Sequence, residues 1–191
     1  MNEVEAVKTA VQRTQLEAQL LEAGQIYFDL WKVGVNLALR ISDLLSITMA
    51  DVKALDPAAP ALQLVEQKTG KKRKLVINGA ALKIMQRRVA DNPKHKYLFQ
   101  SESVNLSRRS QQPVNRRSVS RVFEKAGGRI APKVHIGTHS MRKTRGYAMY
   151  DAGRSIESIC KVLNHSTPAV TMRYIGIDQR DIDQSYVEFE L

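Results

Sequence analysis

Between Thr138 and Gly176 the chain stops and restarts a helix in quick succession, and this punctuation narrows what the stretch can become. Thr138 is placed to cap a helix carrying His139 and Arg142 three positions apart, so that both side chains leave one turn. Asp151-Ala152-Gly153 ends it, the glycine being suited to a left-handed residue after the last turn. Ser155 is placed to cap a second, short helix whose Ile156, Ile159, Val162 and Leu163 form an apolar stripe ending just before Asn164 and His165. Thr167 followed by Pro168, a cap and then a proline at the first helical position, opens a third helix that delivers Tyr174. Three short helices on tight turns thus bring His139, Arg142, His165 and Tyr174 to one surface.

Each of the four residues alone has an ordinary reading. A His three residues before an Arg is usually a solvated helix face, an Asn-His pair a loop, and a Tyr after Met-Arg a half-buried aromatic. Together they suit one phosphodiester: a tyrosine phenolate attacks phosphorus while cationic and imidazole groups stabilise the added negative charge.

The segments His139-Ser-Met-Arg142, Leu163-Asn-His165-Ser and Thr171-Met-Arg-Tyr174 resemble the phage integrase or tyrosine recombinase family. That family's pattern is His-x-x-Arg, Leu-Gly-His-Ser and a nucleophilic Tyr about nine residues on. The resemblance implies another catalytic Arg upstream in a Gly-x-Arg-x-Ser-Glu-Leu segment and a Lys on a hairpin after it. The chain reads Ala38-Leu-Arg40-Ile-Ser-Asp43-Leu, then Val65-Glu-Gln-Lys68-Thr-Gly, so all six positions are filled from Arg40 to Tyr174. Ala38 and Asn164 stand where the family has Gly, and Asp43 where it has Glu. Asp43 could orient a neighbouring catalytic group, but a carboxylate at a helix start is expected to be exposed.

The resemblance implies a mainly α fold with a small antiparallel β-hairpin (α+β), that of a tyrosine recombinase catalytic domain. It implies a site-specific recombinase that cuts and rejoins DNA through a 3′-phosphotyrosine at Tyr174. In that mechanism Arg40, Arg142 and His165 hold the phosphate oxygens, His139 takes the tyrosine proton, and Lys68 protonates the leaving 5′ oxygen. The partners implied are duplex DNA with recombination sites, a homotetramer on paired sites, and accessory DNA-bending or directionality factors. No cofactor or metal is expected, since no Gly-rich nucleotide loop or carboxylate cluster is visible. Two other functions remain open: type IB topoisomerase-like strand cleavage, and a non-catalytic DNA-binding regulator.

Charge agrees with a nucleic-acid partner. The formal net charge is +11, distributed as +15 on the body and −4 on residues 177–191. Ribosomal proteins share such a balance, so charge says polyanion and only the side-chain constellation says strand exchange. With 191 residues, 43% of them hydrophobic, and no long apolar run, one core and a cytoplasmic protein are expected, and the resemblance implies that it is bacterial or phage-encoded. The single Cys160 rules out an internal disulfide and reads as a core residue.

Along the rest of the chain, residues 1–22 read as a helix with an imperfect apolar stripe and frayed first turns, stopped by Gly24. Residues 25–39 read as a buried helix with Trp31 in the core, placing Arg40 at its end. Residues 61–67 and 73–77 flank Thr69-Gly70 as a β-hairpin. Residues 80–89 form an amphipathic helix with Leu82, Met85 and Val89 on its apolar side. Lys71, Lys72 and Arg73 on the hairpin, and Arg108, Arg109, Arg116, Arg117 and Arg121 around a later loop and helix, are the candidate DNA contacts. The expected organisation is a single catalytic domain over 1–191, without an N-terminal core-binding domain. Its tail, 177–191, is acidic with apolar anchors suited to packing on a neighbouring subunit.

Overall fold

In the computed structural model, residues 3–102, 111–177 and 187–188 are described. Helix α1 (Ala10–Ala23) begins at a reciprocal cap, the Thr9 hydroxyl accepting from the Gln12 N–H while the Gln12 side chain accepts from the Thr9 N–H. It stops at Gly24, whose φ of 141° favours glycine. The sequence suggests helix over residues 1–22 with frayed first turns, and residues 3–8 are not helical at all. Glu5 and His135 exchange backbone N–H bonds to carbonyl and carboxylate, both 2.8 Å, and Val7 donates to Thr144 Oγ1 at 2.9 Å. Burial of Ala6 and Val7 and the cap at Thr9 override the local helix propensity.

Helix α2 (Gln25–Leu37) is the central element. Its Leu30, Trp31, Val33 and Leu37 are buried, and Trp31 meets Phe123 edge-on at 5.6 Å. The helix ends in a left-handed residue, Ala38 (φ 51°), and the short helices α3 (Ile41–Ser46) and α4 (Met49–Lys53) follow. Strands β1 (Ala61–Val65) and β2 (Lys72–Val76) pair antiparallel, with Leu64 opposite Arg73. Helix α5 (Gly79–Asp91) starts at Asn78, and α6 (Arg116–Gly127) at Asn115, each capped through its side-chain oxygen.

The buried side of α5 differs from the expected stripe. Arg88, only 4% exposed, turns inward with Met85 because Asp29 on α2 lies opposite. Its Nη1 is 3.1 Å from the Asp29 carboxylate, and its Nε donates to the Leu98 carbonyl at 2.7 Å. A buried carboxylate that is paired and hydrogen-bonded recruits an arginine that periodicity alone assigns to solvent.

Helices α7 (Ser140–Asp151), α8 (Ile156–Leu163) and α9 (Pro168–Ile175) complete the described elements. Their expected stops and starts are present: Gly153 is left-handed at φ 73°, Ser155 caps α8, and Thr167 caps α9 ahead of Pro168. Ala38, Ile159, Leu163 and Ile175 form a small core of their own, separate from the main one, with Tyr174 packed against it. Burying each of the three large side chains stabilises the arrangement by about 1.5–3 kcal/mol. The mainly α fold with one hairpin is the expected one. Among the described residues no helix is long and apolar enough to cross a membrane.

Candidate active site

Helix α7 opens one residue later than the cap at Thr138 suggests. Thr138 is buried, and His139 occupies the cap position without capping through its side chain. The turn is closed instead by the Ser140 hydroxyl, which accepts from the Gly137 N–H at 3.0 Å. His139 is thereby left exposed at the mouth of the helix, and Arg142 enters the interior one turn on at 2% exposure.

Arg142 is held by two backbone carbonyls rather than by a carboxylate: Nη1 donates to Ala38 O and Nη2 to Leu163 O. Both acceptors lie at helix C-termini, α2 and α8, where unpaired carbonyls and the negative end of the dipole favour a cation. A guanidinium has five N–H groups, so three remain for other acceptors. Arg40, at the cap position of α3, is oriented by one bond from Nη1 to Glu66 at 2.8 Å.

Tyr174 sits on the last turn of α9 among these groups. Its hydroxyl is 3.3 Å from His139 Nδ1 and 3.4 Å from the His139 carbonyl, and its ring meets His165 edge-on at 4.7 Å. Burial pushes the phenol's pKa up, while the nearby positive charges of Arg142 and Arg40 pull the other way. The net effect keeps the phenol protonated at neutral pH, so a nearby base is needed. His139 meets that need: partial desolvation of its ring, although the residue is reached by solvent, then the charges of Arg116, Arg142 and Arg40, hold its pKa below the usual imidazole range. Neutral imidazole can accept the proton.

His165 follows Asn164, the left-handed residue (φ 51°) that ends α8. Burial, then Arg142 and Arg40, lower its pKa to about 4. Its Nδ1 is 3.1 Å from Thr171 Oγ1, and that hydroxyl donates to the Thr167 carbonyl at 3.3 Å. With its one proton so used, Thr171 accepts from Nδ1–H and leaves Nε2 to the site. Cys160 is buried as expected, and its thiol donates to the His165 carbonyl at 3.3 Å.

Arg40, His139, Arg142, His165 and Tyr174 are therefore brought together. Lys68 lies exposed in the hairpin turn, with no contact that joins it to them. Lys71 and Lys72 are exposed on the same hairpin, but Arg73 turns inward, its Nη1 3.4 Å from Glu66 and its Nη2 donating to Val162 O. Arg116, Arg117 and Arg121 are exposed on α6, and Arg116 lies near enough to depress the His139 pKa. Arg108 and Arg109 lie outside the described residues, as does the tail apart from Ile177, Val187 and Glu188. Among the described residues no three His, Cys, Asp or Glu side chains group as metal ligands.

Sequence reading misses three contributors. Glu66 is 1% exposed and binds Arg40. Thr171 fixes the His165 ring. Lys143 lies 5.3 Å from the centre of the Tyr174 ring, paired with Glu3 at 2.6 Å. Asp43, expected at the surface, is also 1% exposed: its Oδ1 accepts the Gln67 N–H at 3.0 Å and so ties α3 to the hairpin turn. Its place at a helix start suggests solvent, but the returning hairpin covers it.

Residues 3–180 match the sequence model of the phage integrase family. The chain is 33% identical over 189 residues to a Bacillus subtilis (strain 168) protein named "Probable integrase/recombinase YoeC", covering 99% of this chain and 98% of that one. It is 26% identical over 155 residues to "Probable integrase/recombinase" of Acholeplasma phage L2, covering 81% of this chain but only 50% of that protein. Among solved structures, XerH site-specific recombinase bound to palindromic difH substrate, a post-cleavage complex, superposes with a TM-score of 0.73 at 11% identity, over 97% of this chain and 53% of that one.

Proposed function

The chain belongs to the phage integrase family, and from that membership we propose that it cuts and rejoins duplex DNA at specific recombination sites through a 3′-phosphotyrosine at Tyr174. The observation that carries the residue assignment is the 3.3 Å approach of His139 Nδ1 to the Tyr174 hydroxyl beside Arg142 and His165.

The tyrosine oxygen attacks phosphorus as its proton passes to His139. The bond between phosphorus and the 5′ oxygen breaks, and Lys68 gives that oxygen a proton. Arg40 and Arg142 place their remaining N–H groups on the non-bridging oxygens. Both are oriented before DNA arrives, so little reorganisation accompanies the reaction. His165, protonated once a phosphate offsets the arginine charges, donates from Nε2. The covalent bond conserves the phosphodiester energy, and a 5′-hydroxyl from a second duplex reverses the step without a nucleotide cofactor. Lys71, Lys72, Arg116, Arg117 and Arg121 grip the backbone around the cut.

The chain spans nearly the whole of the Bacillus relative and half of the phage one, so the activity of the larger proteins is carried over as a proposal. The working assembly is a homotetramer on two paired sites, with residues 177–191 reaching a neighbour and accessory DNA-bending or directionality factors setting the outcome. The setting is a bacterial or phage-infected cytoplasm.

The test compares two substrates. Paired duplexes with candidate sites are expected to yield four-way junctions and recombinant strands, all lost in Tyr174→Phe. Relaxation of a supercoiled plasmid lacking such a site, without recombinants, would instead indicate a topoisomerase-like enzyme. Site binding that Tyr174→Phe leaves intact, with no covalent species in either form, would indicate a DNA-binding regulator.

A further inference from the structure

Glu66 is the most heavily bonded side chain near the site and has no part in the chemistry described above. It follows β1 with 1% exposure. Its Oε2 accepts from Arg40 Nη1 at 2.8 Å, Asn164 Nδ2 at 2.9 Å and Thr69 Oγ1 at 2.7 Å; its Oε1 accepts from Arg73 Nη1 at 3.4 Å. Burial alone would raise its pKa, but the bonds from Thr69, Asn164 and Arg40 bring it down to about 2. It is therefore a carboxylate at any working pH.

Its donors come from three separate parts of the site. Arg40 is at the cap position of α3, Thr69 is in the turn that carries Lys68, and Asn164 immediately precedes His165. Asn164 is also where the chain departs from the family's Leu-Gly-His pattern. Its left-handed backbone needs no side chain, and glycine would adopt it with less strain. The amide is thus not required by the turn. What it does is reach back to Glu66, 98 positions earlier in sequence.

We infer that Glu66 is a positioning residue: through one buried carboxylate it sets the Arg40 guanidinium and, by way of Asn164, ties the His165 turn to the Lys68 hairpin. It touches no reacting atom. It spends one Arg40 N–H and thereby fixes the plane in which the others face the phosphate. The carboxylate also locks the two ends of the site in one relative placement. This inference rests on the catalytic reading of Arg40 and His165 given above.

The test is single-turnover formation of the covalent complex on a nicked duplex, with DNA affinity measured alongside. Glu66→Gln keeps the size and removes the charge. Its cleavage rate is expected to fall about 100-fold, the cost of a misplaced catalytic group, with affinity changed less than about threefold. Asn164→Gly, which keeps the turn and should fold readily, is expected to lose about tenfold, in line with one hydrogen bond to a charged acceptor. Two couplings separate positioning from a merely structural role. Asn164→Gly added to Glu66→Gln should change the rate by less than about twofold, since the partner is already gone, and Glu66→Gln added to Arg40→Ala should cost no more than the roughly tenfold share carried through Asn164. Full multiplication of the single effects, or rate and affinity falling together in both single variants, overturns the inference while leaving the recombinase reading intact. A wild-type chain that forms no covalent complex on DNA it binds overturns the recombinase reading, and this inference with it.

Discussion

Replacing Gly146 by alanine should separate catalysis from stability, because Gly146 faces the helix that carries the nucleophile. A Cβ built there would lie 2.5 Å from Ile175 Cγ2 and 3.0 Å from Leu163 Cδ1, against ordinary contacts of 3.4–4 Å. The Ile175 methyl is fixed to a β-branched carbon, so rotation gives little relief and α9 must back away by about 1 Å. Overpacking of this kind costs about 1–3 kcal/mol, and the better helix propensity of alanine returns about 1 kcal/mol. The net loss of about 0–2 kcal/mol lowers Tm by about 0–8 °C. Tyr174 adjoins Ile175, so the same displacement moves the phenol off His139 and should slow covalent-complex formation about 100-fold. The assay is single-turnover cleavage of a nicked duplex beside a thermal melt. Ala148→Gly, at an exposed position on the same helix, is the control: it costs about 1 kcal/mol and should leave cleavage unchanged. If Gly146→Ala cleaves within about threefold of wild type, close packing of α7 on α9 does not position the tyrosine.

Arg142→Lys should be far from conservative. An ammonium cannot bridge the Ala38 and Leu163 carbonyls and still offer a planar face to phosphate, so cleavage should fall about 10²–10³-fold in the same assay. One buried carbonyl left without a donor should also cost about 1–3 kcal/mol in a denaturant melt. The low pKa of His165, about 4 against an ordinary 6.5, predicts two pH effects. Between these values the unfolded chain holds more protons than the folded one, so this residue's contribution to stability is lost as pH falls from about 6.5 towards 4. Bound phosphate should raise the pKa by offsetting Arg142 and Arg40, so affinity for DNA at fixed salt should strengthen from pH 7 to pH 5. His165→Gln should remove that part of the pH dependence, and an unchanged slope in this variant would assign the proton elsewhere.

What the sequence makes legible here is local. Ser155, Gly153 and the Thr167-Pro168 pair act through neighbours within one turn, so the three short helices and the order of His139, Arg142, His165 and Tyr174 can be read directly. The hairpin and the buried α2 follow from alternation and from an apolar run. Apart from the first residues and the cap at Thr138, what the sequence leaves hidden concerns polar groups whose partners are distant in the chain. Arg88 turns inward only because Asp29 lies across from it, Arg73 only because Glu66 and Val162 face it, and Asp43 is covered only when the hairpin returns. Glu66 at the end of a strand looks like a solvated carboxylate until Arg40, Thr69 and Asn164 converge on it. The positions departing from glycine in the resemblance, Ala38 and Asn164, both prove left-handed, which gives the family's glycines their physical reason.

The most direct measurement locates the covalent bond. A nicked duplex carrying a candidate site, bound by the wild-type chain, should trap a complex once the short 5′-hydroxyl fragment diffuses away. Protease digestion and tandem mass spectrometry should then find the nucleotide on the peptide containing Tyr174, attached through a 3′-phosphate, and nothing in Tyr174→Phe. An adduct on another residue, a 5′-phosphate linkage, or no adduct on a duplex that is demonstrably bound would contradict the account.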